Sequence, residues 1–177
     1  MSRDLVTPRQ RESLADALAT CLVSELLAPS QPLWLVSAWI SDIDVLDNAG
    51  GAFEALAPSW PKGPVKLSTV IESLLVAGGR VVVAMRTHRH NEMFAQKLRQ
   101  VRTRYPGRLA YDCVPDLHQK CLCGERFALR GSMNFTYNGL NAKEEQMTLS
   151  VEPTEVRTLR FELADRWDYL TRQGVAP

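Results

Sequence analysis

His118-Gln119-Lys120-Cys121-Leu122-Cys123-Gly124-Glu125, followed by Gly131-Ser132-Met133-Asn134 and then by Glu144-Glu145, is the stretch on which both fold and chemistry turn. Residues 119–123 and 126–130 read as extended segments, and Gln146 to Glu152 alternates as a third. In a strand, residues i and i+2 point to one face, so His118 would project with Lys120, and Ser132 with Asn134. Were the two segments neighbours, one surface would hold an imidazole, an ammonium, a hydroxyl and an amide. That set suits a phosphate diester. A neutral imidazole attacks phosphorus or moves a proton near neutral pH, an ammonium meets non-bridging oxygens, and the hydroxyl and amide donate hydrogen bonds. Taken singly, each residue has a plainer reading: a solvated strand lysine, or turn capping by a Gly-Ser-x-Asn run.

Upstream, Leu33 to Ile40 and Arg80 to Arg86 are short apolar runs that read as strands covered on both faces, with Leu109 to Val114 as another strand. Leu67, Val70, Ile71, Leu74 and Leu75 mark an amphipathic helix stopped by Gly78-Gly79. Phe94, Leu98, Val101 and Tyr105 mark a second, capped by Asn91 and ended by Pro106-Gly107. An earlier helix opens at Thr7-Pro8-Arg9-Gln10, with Thr7 as cap and Gln10 completing a capping box; it carries Leu14, Leu18, Cys21 and Leu22 and closes at Pro29. A final helix runs from about Thr154 to Leu170 on Val156, Leu159, Leu163, Trp167 and Leu170. Asp47 to Pro64, punctuated by Gly and Pro, reads as a long irregular loop, either functional or disordered. Strands alternating with helices imply α/β layers around a central sheet.

Composition bounds the classes. At 177 residues, 45% hydrophobic and 23% charged, the sequence fits one domain, 1–177, with a core of its own. Twenty-one basic against twenty acidic residues excludes a polycationic tail protein and a disordered acidic one. Cys21, Cys113, Cys121 and Cys123 are sparse and unevenly spaced, as reduced thiols are, with no disulfide framework. The opening Met1-Ser-Arg-Asp leads into a polar helix start without an apolar signal segment, and no apolar run approaches the ~20 residues of a membrane span. The expectation is a cytoplasmic protein with no membrane partner.

His118-x-Lys120-x4-Glu125, then Gly131-Ser132-x-Asn134 and Glu145, resemble the HKD signature of the phospholipase D superfamily, HxKxxxxD followed by GSxN. The order of elements around them fits as well. The resemblance implies a mixed central sheet flanked by helices on both faces, and a reaction needing no metal and no cofactor. In that family two HxK motifs meet at one site. One His attacks phosphorus to give a phosphohistidine, the other protonates the leaving oxygen, and water completes hydrolysis. This chain has one such motif, since neither His88 nor His90 is followed by lysine at the second position. The resemblance therefore implies a homodimer in which His118 and Lys120 of both subunits share a site. It sets Ser132 and Asn134 beside them and makes Glu145 the acid that orients a His; Glu144 reads equally well as a solvated charge. Glu125 stands where the family pattern carries Asp. At an odd offset from Lys120 it faces away from the site in an unbroken strand, as a structural acid would.

Zinc is a rival reading of the clustered Cys113, His118, Cys121 and Cys123. Yet 121 and 123 have opposite parity to 118, and the spacings match no finger or ribbon, so the thiols are read as small buried hydrophobes. Charge distribution bears on the substrate. Seven bases, Arg86, Arg89, Lys97, Arg99, Arg102, Arg104 and Arg108, stand against one acid, Glu92, between residues 86 and 108. Arg86-Thr-His-Arg-His90 follows a strand, where ligands of open α/β sheets gather, so Arg86, His88 and Arg89 are read as contacts to a polyphosphate backbone. The bases further along the helix also fit a solvated face. The leading expectation is a nuclease, on DNA ahead of RNA. The alternatives are a phospholipid-cleaving enzyme and a weak or inactive DNA-binding subunit. A larger defence or restriction complex fits the nuclease and the binding subunit alike. The continuation Phe135-Thr-Tyr-Asn-Gly139 is similar to the phospholipase D-like member of a deazaguanine DNA-modification cluster.

Overall fold

The computed structural model describes residues 2–6, 11–141 and 144–172. The chain begins with β1 (Ser2–Val6), α1 (Arg11–Leu27), β2 (Leu33–Ser37), β3 (Asp44–Asp47), β4 (Pro64–Lys66) and α2 (Leu67–Val76). It continues through β5 (Val81–Arg86), α3 (Glu92–Arg104), β6 (Leu109–Val114), β7 (Cys121–Cys123) and β8 (Ala128–Gly131). α4 (Tyr137–Asn141), β9 (Gln146–Ser150), α5 (Pro153–Arg166) and α6 (Asp168–Arg172) complete it.

Seven strands form one mixed sheet in the order β1-β9-β8-β7-β2-β5-β6, with β2, β5 and β6 parallel and the other pairings antiparallel. The two central apolar runs are buried on both sides, so β2 shows no polar alternation. On one face Leu33, Leu35, Val81, Val83, Met85, Leu122, Leu129 and Met147 pack with the buried residues of α1, α2 and α3. On the other, Trp34, Val36, Val82, Ala84, Cys121, Cys123 and Ala128 meet Val156, Leu159, Leu163, Trp167 and Leu170. The fold is thus α/β, a mixed central sheet flanked by helices on both faces.

Register gathers the polar residues. Cys121 lies opposite Val36, Arg130 opposite Cys121, and Gly131 opposite Met147. The start of β7, the end of β8 and the start of β9 therefore share one edge of the sheet with the carboxyl ends of β2 and β5.

Several expectations need correcting. Ser2–Val6 is an edge strand antiparallel to β9, where the sequence reads as a lead into a helix; Ser2, Arg3 and Asp4 are all exposed before the buried Leu5, so these four show no alternation. The segment after Asp47 is a packed loop closed by the β3–β4 pair. Asn48 accepts from Phe53 N and donates to the Pro61 carbonyl, and Trp60 is buried with its Nε1 donating to Ser73 Oγ at 2.8 Å. The last helix is two, broken at Trp167, whose φ of −113° and ψ of 26° leave the helical region. Asn91 precedes α3 but makes no side-chain cap; its amide is used elsewhere, as described below. The capping box at Thr7 to Gln10 lies outside the described residues.

Candidate active site

An open cavity of about 750 Å³ lies at the polar edge of the sheet, lined among others by His118, Lys120, Arg130, Ser132, Asn134 and Glu162. His118 is exposed, on the irregular segment before β7, and the strand expected from residue 119 begins only at Cys121. Lys120 is only 7% exposed. Its Nζ donates to the His118 carbonyl at 2.6 Å and lies 3.3 Å from His118 Nδ1. Burial holds this ammonium below the ordinary lysine range, and the Glu145 carboxylate pulls it partly back.

From the other strands come the hydroxyl and the amide. Ser132 Oγ donates to Glu145 Oε2 at 2.6 Å and accepts from Gln146 N at 2.9 Å, which ties the end of β8 to the start of β9. A side chain on Gly131 would overlap the Gln146 carbonyl, so this close strand approach requires glycine. Asn134 Oδ1 accepts from Trp39 N at 3.1 Å and from Ser37 Oγ at 3.2 Å, fixing the loop after β8 on the end of β2. Glu144 is exposed. Glu125 stands away from this group: its Oε1 accepts from Gln31 N at 3.0 Å and lies 3.8 Å from Arg160 Nη2.

The basic run is largely engaged within the chain. Arg86 Nε donates to the Pro115 carbonyl, Lys97 pairs with Asp42 at 2.6 Å, and Arg104 pairs with Glu72 at 2.5 Å. Arg102 sits 4.9 Å from the centre of the Tyr111 ring, and Arg108 donates to the Leu75 carbonyl. His88, Arg89 and Arg99 line a separate hollow of about 270 Å³ beside the strand ends. The structure thus brings His118, Lys120, Ser132 and Asn134 together, with Glu145 on Ser132, and sets Arg86, His88 and Arg89 outside that cavity's wall.

The thiols do not form a cluster with His118. Cys121 and Cys123 point into the core under α5, and burial pushes the Cys123 thiol up to about 12, away from the ionised form a metal would need. Among the described residues no group of three or more His, Cys, Asp or Glu could hold a metal ion.

Sequence reasoning missed part of the wall. Arg130 shares strand parity with Ser132, so period-two reading would have found it. Thr148 on β9 and Glu162 on α5 also line the cavity, and only tertiary packing brings α5 there.

The topology, one mixed sheet flanked by helices on both faces, is that of a phospholipase D-like fold. By sequence, no family model and no curated protein matches the chain. By structure, it is similar to NucT from Helicobacter pylori at 13% identity and a TM-score of 0.60, covering 100% of this chain and 99% of that one. It is similar to Nuc from Salmonella typhimurium, a phospholipase D family member, at 14% identity and a TM-score of 0.53, covering 95% and 94%. TrmBL2, an archaeal chromatin protein described with a novel mode of DNA binding, matches at 13% identity and a TM-score of 0.53, over 98% of this chain and 54% of that one. Such low identities establish the fold and leave the chemistry to the residues. Among the described residues, no helix is long and apolar enough to cross a membrane.

Proposed function

We propose that the protein is a metal-independent phosphodiesterase of nucleic acid, a single-domain nuclease acting on DNA ahead of RNA. The observation that carries this is the convergence of His118, Lys120, Ser132 and Asn134 on one open cavity. His118 is the nucleophile. Its Nδ1 contact to Lys120, at 3.3 Å, is too long to fix the tautomer, and the short bond of the ammonium goes to the carbonyl. With the proton on Nδ1, Nε2 attacks phosphorus. A P–N bond forms, the P–O bond to the leaving strand breaks, and the departing oxygen takes a proton from the partner subunit's His118. Water, deprotonated by that second imidazole, then attacks phosphorus, the P–N bond breaks, and both histidines return to their starting state. Lys120 and the Asn134 amide stabilise the charge on the non-bridging oxygens.

The cavity holds one imidazole, His118, and the two-step displacement needs a second, so the active form in this reading is a homodimer with a shared site. The similarity of Phe135 to Gly139 to a deazaguanine-cluster protein supports a place in a DNA-modification or restriction assembly. A second reading, a DNA-binding subunit without turnover, draws support from the same fold in a chromatin protein.

The test is cleavage of a labelled oligonucleotide with EDTA present, by wild type and by His118→Ala, with molecular mass measured in parallel. Expected is EDTA-resistant cleavage by a dimer, lost in the variant. A folded dimer that binds DNA without cutting it would favour the binding subunit, and a monomer would overturn the shared site.

A further inference from the structure

We propose that the hollow formed by Trp39, Ser41, His88, His90, Tyr137 and Asn138 is a nucleobase pocket, holding the base next to the phosphate seated at His118. The inference rests on the nucleic-acid reading above and adds what the strand presents besides its backbone.

Position comes first. Asn134 lines the His118 cavity and accepts from the backbone N–H of Trp39, which lines the hollow. Thr136, two residues further on, lines the hollow as well, its N–H donating to the Asn134 carbonyl at 2.8 Å. Two residues of chain span at most ~7 Å, so the two depressions share a wall.

The linings differ in kind. The His118 cavity carries Lys120 and Arg130, as a phosphate site would. The hollow has Thr136 as its remaining wall residue and neither lysine, arginine nor carboxylate. Its volume, about 350 Å³, is at the small end of ligand clefts, which suits one nucleoside. Its surfaces are aromatic. The Trp39 ring is partly exposed and faces His88 at 6.3 Å between centres with a tilt of 58°, and Tyr137 is 69% exposed. Trp39 Nε1, although buried, finds no hydrogen-bond partner among the described residues, so no side-chain bond ties the ring down. The rim is polar: Ser41 Oγ lies 2.9 Å from His90 Nε2, and Asn138 adds an amide. Burial and the neighbouring His88 lower the His90 pKa, which disfavours a charge on that ring. Aromatic faces with uncharged polar edges are what a base recognises, through stacking and edge hydrogen bonds.

Trp39 also supplies the probe. Trp34, Trp60 and Trp167 are 1%, 7% and 3% exposed, so contact with a ligand would be felt mainly by Trp39. His118→Ala protein, which cannot turn the strand over, is titrated with an oligothymidylate of about ten nucleotides and with an abasic phosphodiester of equal length. The expected result is quenching by the base-bearing strand alone, with affinity about tenfold above the abasic one. Tyr137→Ala, on an exposed side chain, and Trp39→Leu should each weaken the base-bearing strand about fivefold or more and leave the abasic strand unchanged. Equal binding of both strands with no quenching would overturn the pocket and leave the nucleic-acid reading intact. Base-dependent binding indifferent to both substitutions would overturn the pocket too. Binding of neither strand would overturn the pocket together with the reading beneath it.

Discussion

Burying Lys120 opposes folding while serving the proposed chemistry. Its pKa is held below the ordinary 10.5, so the folded state disfavours the charged form relative to the unfolded chain. Between the lowered value and 10.5 the unfolded chain binds more protons. The contribution of this residue to stability therefore rises with pH through that window and is least favourable at neutral pH. Lys120→Met removes the buried charge and keeps an apolar stem. At pH 7 the variant should melt no lower than wild type, while oligonucleotide cleavage falls about 10²- to 10³-fold. A melting temperature well below wild type would mean that the ammonium's bond to the His118 carbonyl outweighs its desolvation. The polar residues of the cavity were legible in the sequence because they recur at fixed offsets just outside the ends of two neighbouring strands, β7 and β8. Trp39 was not, since it lies inside the apolar run from Leu33 to Ile40 and reads as core. Of the basic run, sequence counts the charges of α3 but does not reveal Asp42, Glu72 and Tyr111 beside Lys97, Arg104 and Arg102.

Asn91 couples strands whose ends carry the site. It is 1% exposed; its Nδ2 donates to the carbonyls of Ala38 and Arg86 at 2.8 and 2.7 Å, and its Oδ1 accepts from Ile40 N at 2.8 Å. One amide thus joins the chain leaving β2 to the chain leaving β5, under Trp39 and His88. Sequence reading made it a helix cap because Asn before an apolar-periodic run is ordinary capping chemistry. Which backbone groups a buried amide meets depends on the loops after two parallel strands, and no local pattern encodes that. Asn91→Ala would take their Asn91 partner from the Ile40 N–H and the Arg86 carbonyl, while the Ala38 carbonyl keeps the Arg86 N–H at 3.2 Å, costing about 3 kcal/mol. Urea denaturation should show the midpoint falling with the slope unchanged. A loss below about 0.5 kcal/mol, the range of surface substitutions, would mean that water replaces the amide. The long apolar strands and helices were legible by period alone, whereas Ser2–Val6, Asp44–Asp47 and Pro64–Lys66 are short and paired at edges, and only partner strands define them.

A net charge of +1 over the whole chain gives no strong field to gather a polyanion, so recognition has to be local. The polar residues do lie on one edge of the sheet, at the carboxyl ends of β2 and β5, because the alternating directions of β7, β8 and β9 bring their loops to that side. Such an edge supplies one imidazole beside one ammonium, half of what the two-step displacement needs. In the proposed reading the remaining half comes from a second copy of the chain, and this has a quantitative consequence. If each site needs His118 from both subunits, a dimer with one His118→Ala chain is inactive. Wild type and variant, mixed equally and allowed to exchange through unfolding and refolding, form wild-type dimers in about one quarter of cases, so activity should fall to about one quarter. If each subunit worked alone, half the activity would remain. Because His118 is exposed, the variant should fold and pair as wild type does, and equal masses of the refolded samples would check that. A value near one half would require the second proton donor to come from within the chain, with His88 or His90 across Trp39 and Asn134 as the nearest imidazoles to test.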